Sequence, residues 1–144
     1  MTYQIRQLNI NDHEELLQLW QRCELSHRPK GRDSYEKMAK EFKRHETCIL
    51  GMFDDDKMIG SVIGSSDGRK GWINRLAIDP DYRGQGLAGK LIEECEDFLH
   101  NLGIKVIAAL IEGDNDPSFR AFKKAGYIFA DNIAYCSKRT SPED

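Results

Sequence analysis

Hydrophobic and polar positions change period several times along the chain, and each change predicts an element. Tyr3 to Gln7 alternates as a short strand does, and Asn11 followed by Glu14 has the form of a capping box that opens a helix. Leu16, Trp20 and Cys23, at i, i+4 and i+7, put an apolar stripe on that helix. Asp33 with Glu36 predicts a second helix, with Tyr35, Met38 and Phe42 at similar spacing, and Glu24 to Arg32, holding Ser26, Pro29 and Gly31, reads as the loop between.

Cys48 to Phe53 and Met58 to Ile63 are apolar runs joined by Asp54-Asp55-Asp56-Lys57, a β-hairpin. A third run, Trp72 to Ile78, extends it into an antiparallel meander. Leu87, Leu91, Cys95, Phe98 and Leu102 then recur at helical spacing and Gly103 supplies a stop. Lys105 to Ile111 predicts a strand buried on both faces, which makes the preceding helix a crossover between parallel neighbours. Pro117 suits the first turn of a helix through Phe119 and Phe122 to Ala125, closed by Gly126. Tyr127 to Ala130 and Ile133 to Ser137 predict two last strands before a polar tail, Lys138 to Asp144. The sum is an α+β fold with a mixed, mostly antiparallel sheet, a parallel pair and about four flanking helices.

Length and charge narrow the function. Residues 1–144 read as one domain, and 40% hydrophobic residues suffice for one core. A net charge of −3 with both signs interspersed leaves no basic footprint for nucleic acid. The longest apolar run, Val106 to Ile111, is too short to span a membrane, and Met1-Thr2-Tyr3-Gln4 is not a charged-then-apolar leader, so the expected location is cytoplasmic. Cys23, Cys48, Cys95 and Cys136 form no C-x-x-C pair and are expected as reduced thiols. His13, His27, His45 and His100 show no ligand spacing, so no metal is expected.

Several motifs fit a pattern but not its context. Gly84, Gly86 and Gly89 match a dinucleotide fingerprint, yet they follow a meander and Asp79 to Arg83 intervenes after the strand. Gly84 to Lys90 matches a P-loop until Leu91 takes the place of the magnesium-binding hydroxyl. Gly64 to Gly68 fits G-x-S-x-G but leads into a strand, where a nucleophile elbow requires a helix. Asp79, Asp81 and Gly84 echo a calcium loop that Arg83 and Lys90 spoil. What remains is a glycine-rich strand-to-helix junction, Arg83-Gly84-Gln85-Gly86-Leu87-Ala88. Its free amides and helix N-terminus suit an anion, best a pyrophosphate, with Arg83 as an added cation.

Leu76 to Ala88 resembles motif A of the GNAT superfamily of acyl-CoA-dependent N-acetyltransferases, with Arg83, Gly86 and Ala88 on its Q/R-x-x-G-x-G/A signature. Asn115 leading to Phe122-Lys123-Lys124-Ala125-Gly126-Tyr127 resembles motif B, and the element order agrees from Tyr3 to about Lys138. The resemblance implies a central parallel pair of strands that splays apart to admit pantetheine. The backbones of Leu76, Ala77 and Ile78 would bond its amides, Gly84, Gln85, Gly86, Leu87 and Ala88 would hold the pyrophosphate, and Asn115 would contact the pantetheine arm. Lys123 and Lys124 would be in reach of phosphate, though cations late in a helix also serve its dipole. A backbone N–H near Ile78 would face the developing oxyanion.

The resemblance implies acetyl-CoA as donor, no metal, and the primary amine of a small molecule, peptide or protein as acceptor. It leaves a homodimer open. In many members a tyrosine stands where this chain has Phe122, and a glutamate base stands on the strand that here offers only Asn74 and Arg75. Glu112 is the substitute base, and Glu24, His27 and Arg28 are candidates to select the acceptor. The rival reading is a non-catalytic acyl-CoA sensor.

Overall fold

A computed structural model describes residues 2–144. Its sheet has five strands in sequence order: β1 (Gln4–Gln7), β2 (Thr47–Asp54), β3 (Lys57–Ser66), β4 (Gly71–Ile78) and β5 (Ile107–Ala109). The first four run antiparallel to their neighbours and β5 is parallel to β4. Helices α1 (His13–Arg22) and α2 (Tyr35–Glu41) lie between β1 and β2, α3 (Leu87–Asn101) is the crossover from β4 to β5, and α4 (Asp116–Lys124) follows.

Side chains alternate across a strand, so the near-continuous burial of β2 and β3 requires cover on both faces. Met52, Ile59, Val62 and Ile73 pack with Leu91, Cys95 and Leu99 of α3. Ile49, Phe53, Met58 and Ile63 pack with Leu16, Leu19 and Trp20 of α1 and Met38 of α2. Gly64 sits where α3 comes closest, since an added Cβ would lie 2.5 Å from Cys95 Sγ. Cys48 and Cys95 face one another as free thiols 3.6 Å apart.

Four expectations need correction. The capping box belongs to Asn9 and Asp12, around a 3-10 turn at Ile10–Asp12, because Asn9 has the extended backbone a cap needs and Arg6 holds Asp12 from outside. Ser34, not Asp33, caps α2; Asp33 is buried and its carboxylate receives Arg75 and the Arg28 amide. β5 is three half-buried residues rather than a long strand buried on both faces, and Val106 and Leu110 stay exposed beside it. Tyr127 to Ala130 and Ile133 to Ser137 form no strands. Alternation supplies propensity but not a partner, and the short edge of β5 has few hydrogen-bonding positions left to pair with.

Candidate functional site

The site begins with an extra residue in β4. Ala77 lies opposite Ser61 and Asn74 opposite Ile63, so Arg75 and Leu76 together face Val62. Such a bulge bends its strand and re-aims side chains. Arg75 adopts φ 54°, a left-handed conformation that a bulky side chain holds only when its surroundings enforce it. They do: Ser61 Oγ donates to the Arg75 carbonyl at 2.9 Å and itself accepts from Trp20 Nε1 at 3.0 Å. The Arg75 guanidinium lies over the Trp20 ring and donates to Asp33 at 2.8 Å.

Beyond the bulge β4 has no partner on its β5 side, because that pairing ends at Ile73 and Ala109. The edge from Asn74 to Ile78 is therefore open, and buried strand edges need hydrogen-bond partners. The Ile78 carbonyl is taken by Arg83 Nε at 3.0 Å and by the Cys23 thiol at 3.3 Å. Burial pushes that thiol upward despite the nearby Arg83 guanidinium, so Cys23 stays protonated.

A cavity of about 730 Å³ opens between this edge, α3 and α4. Leu76, Ala77, Ile78, Arg83, Gly84, Gly86, Leu87, Ala88, Asn115 and Lys124 line it. Gly84 and Gly86 have φ of 82° and 75°, and a Cβ at either would meet nothing within 4 Å, so the loop both needs glycine and faces open space. Gly86 caps α3 without a side chain, and the first turn of α3 carries no acidic residue. No acidic side chain of that first turn compensates its amides and positive helix end, and Lys90, Arg120 and Lys124 line the same cavity together with Glu93 and Glu96. These features fit a long anionic donor whose amides pair with an open strand edge.

The turn before the loop is held firmly. Asp79 Oδ1 accepts from the Asp81 amide at 2.9 Å and Oδ2 from Arg22 Nε at 3.0 Å, which ties the loop to α1. Tyr82 donates to Asp54 at 2.7 Å, a bond that pushes its phenol up to about 12.

The remaining candidates are placed differently. Gln85 lies outside the cavity, where it receives Tyr3 and donates to the Tyr82 carbonyl. Phe122 is 2% exposed, packs edge-on against Tyr127, and lines a smaller neighbouring cavity of about 240 Å³ together with Glu24, Asn74, Arg75 and Glu112. Asn115 lines both cavities while its side chain caps α4. His27 and Arg28 line neither: His27 bonds the Leu25 carbonyl and tilts against Trp20, and Arg28 donates to the His27 carbonyl. Arg28 Nε is buried without a partner.

A third cleft, about 500 Å³, lies on the other side of β4 and meets the small cavity at Asn74, Arg75, Leu110, Ile111 and Glu112. Glu112 is exposed and stands where the two join. Sequence reasoning missed Cys23, Asn74, Arg75 and Glu41 as wall residues. Cys23 carried only the signal of a core stripe, and nothing local marks the other three. Among the described residues no group of His, Cys, Asp and Glu is arranged to hold a metal ion, and no helix is long and apolar enough to cross a membrane.

Comparison with known proteins gives a concordant result. A family model described as Acetyltransferase (GNAT) family matches residues 13–127. An acetyltransferase of Sodalis glossinidius (strain morsitans) is 32% identical over 136 residues, covering 94% of each chain. The PaiA N-acetyltransferase of Thermoplasma acidophilum, solved in complex with coenzyme A, matches with a TM-score of 0.81 at 23% identity, over 92% of this chain and 94% of that one. AAC(6')-Iy, in complex with the bisubstrate analog CoA-S-monomethyl-acetylneamine, matches with a TM-score of 0.77 at 19% identity, over 96% of this chain and 99% of that one. At these identities the two solved structures speak to the fold.

Proposed function

The chain belongs to the GNAT family of acetyltransferases, and from that premise we propose that residues 1–144 form one domain that moves an acetyl group from acetyl-CoA to a primary amine. The observation that carries this reading is the open edge of β4 from Asn74 to Ile78. It faces a cavity running to the N-terminus of α3, and a separate cleft approaches it from across the strand. Donor and acceptor thereby enter from opposite sides and meet at the bulge. A bisubstrate analog is bound by a protein of the same fold, which supports direct transfer with both substrates in place.

In this reading Arg83, Gly84, Gly86, Leu87, Ala88 and Lys124 hold the anionic end of the donor, and Leu76, Ala77 and Ile78 hold its amides. The free amides at the start of α3 and its dipole act as a fixed positive surface that needs no reorganisation when the donor arrives. Holding the amine against the thioester supplies much of the acceleration. The new bond joins the amine nitrogen to the acetyl carbon as the carbon–sulfur bond breaks. The amine proton passes to the Glu112 carboxylate, directly or through water, and sulfur leaves as a thiolate. A thiol of pKa about 8.5 is a good enough leaving group that Phe122, which has no proton to give, does not block the reaction. Asn115 and Phe122 then close the wall beside the departing sulfur. Nothing in this reading requires export, and the setting proposed is the cytoplasm.

The test is acetyl transfer itself: purified protein, acetyl-CoA and a broad panel of small amines and peptides, followed by CoA release. Turnover with at least one amine and saturable dependence on acetyl-CoA is the expected result. Tight acetyl-CoA binding with no turnover on any amine would overturn it in favour of a sensor.

A further inference from the structure

We infer that Glu41 selects the acceptor by taking a second cationic group of the amine, so that the substrates favoured are diamines or longer polyamines. This rests on the reading of the reaction above and adds to it the class of acceptor.

The cleft across β4 carries charges of both signs, and most are already committed. Asp33 and Arg75 pair at 2.8 Å through Arg75 Nη2, while Arg75 Nε is buried without a partner, and Arg139 donates to the Asp144 carbonyl. Arg32 is exposed, so solvent screens it. Among the described residues Glu41 and Glu112 make no side-chain hydrogen bond or ion pair, and Glu41 is half-buried whereas Glu112 is exposed. A carboxylate partly withdrawn from water and without a partner loses some of its solvation, and a cation delivered by a ligand restores it. Burial pushes Glu41 upward and Asp33 adds to the push, as expected of a carboxyl short of positive charge.

The chemistry then decides what the cation is. The nitrogen that attacks a thioester must be uncharged, because an ammonium has no lone pair. The same nitrogen cannot also be the positive partner of Glu41. A cation held at Glu41 must therefore be a different group of the same acceptor, with the reacting amine directed toward Asn74 and Glu112, where the cleft meets the donor side. Glu41 is suited to this because it ends α2, and the Asp33–Arg75 pair fastens the segment before α2 to β4.

Hexamethylenediamine and hexylamine, equal in length and differing in the second amine, separate the alternatives. With wild-type protein, kcat/KM for the diamine is expected to exceed that for the monoamine by tenfold or more, on the scale of one charge-assisted hydrogen bond. Glu41→Gln should raise the diamine KM by about the same factor, leave kcat and the acetyl-CoA KM nearly unchanged, and erase the preference; Glu41→Asp should keep part of it. An unchanged preference in Glu41→Gln overturns the inference. Calorimetry of hexamethylenediamine with both proteins judges it apart from catalysis. Diamine affinity lost in Glu41→Gln without turnover in either protein upholds the role of Glu41 and sinks the proposed reaction, whereas equal affinity, or none in wild type, sinks the role of Glu41.

Discussion

Nearly half of the residues that wall the cavity on the α3 side of β4 come from one stretch of chain, Leu76 to Lys90, whose glycines expose its backbone. The cleft on the α2 side is walled by residues from six separate segments, among them Asp33, Glu41, Ser65, Arg75, Glu112 and Arg139. Backbone amides at a helix N-terminus offer the same dipoles whatever side chains flank them, which suits a ligand that never changes. Side chains can be exchanged singly without rebuilding the strand, which suits a ligand that defines one enzyme among many. The two sides also treat their carboxylates oppositely. Burial alone would raise the Asp79 carboxyl, but the Asp81 amide, Arg22 and Lys57 outweigh it and hold it below its ordinary range. Burial and Asp33 push Glu41 above its own, against the weaker pull of Arg44 and Arg75. The turn before the glycine-rich loop keeps its carboxylate paired, whereas Glu41 in the cleft across the strand is left without a partner.

The largest expected effect strikes the backbone-walled side. Gly89 lies in the first turn of α3 with nothing within 4 Å of an added Cβ and no positive φ, so Gly89→Glu places a carboxylate in the cavity without straining the chain. One extra charge about 5 Å from a phosphate, at an effective dielectric of about 20, costs about 3 kcal/mol, or roughly 100-fold in acetyl-CoA affinity by calorimetry. Gly89→Ala should bind within about threefold of wild type while gaining about 0.5–1 kcal/mol of stability as a helix substitution. Equal affinity in Gly89→Glu would remove the anionic end of the donor from this cavity.

Next is the point where the two sides meet. Glu112→Gln keeps shape and removes basicity, and the rate with the best amine near neutral pH should fall by roughly 10², the lower end for general-base catalysis. A fall below threefold with an unchanged pH profile would make Glu112 a bystander.

The paired carboxylates give a smaller, signed effect. Because the folded Asp79 carboxyl is lowered, its stabilisation is present above the unfolded value of about 3.9 and disappears as pH falls through the folded one. Asp79→Ala should cost about 2 kcal/mol at neutral pH, and the loss should shrink in acid. For Glu41 the sign reverses: its penalty grows as pH climbs through the raised folded value. Glu41→Gln should therefore be stabilising at neutral pH and neutral near pH 4. Thermal unfolding of both variants across that range checks the pair, and parallel curves would erase the contrast between the two sides.

Smallest is Phe122→Tyr. Its ring is buried against Tyr127 at 5.0 Å between centroids and borders the small cavity, so the new hydroxyl has open space to enter. Turnover should rise or stay within about threefold, since a thiolate needs little help in leaving. A variant that binds acetyl-CoA normally and acetylates more slowly would contradict the placement of this ring beside the sulfur.

The sequence by itself determined the elements whose signals are local. Apolar stripes at helical spacing set α1 and α3. Gly103 and Gly126 stop α3 and α4, and the Asp55-Asp56 turn joins β2 to β3. The glycine-rich loop was equally legible, because glycine is required by its own φ and the residues that make it are contiguous. Tertiary structure decided everything that depends on a partner distant in the chain. Asp33 has the form of a helix cap until Arg75, 42 residues away, claims it and Ser34 takes over. Arg75 becomes left-handed only because Ser61 and Trp20 hold the bulge. Tyr127 to Ala130 and Ile133 to Ser137 alternate like strands yet do not pair with the short β5. Glu41 shows nothing in its neighbourhood along the chain, since its meaning lies in the unpaired burial that only packing creates. A conformational preference is written in adjacent residues, whereas a hydrogen-bond partner, a bulge or an uncompensated charge exists only once distant segments meet.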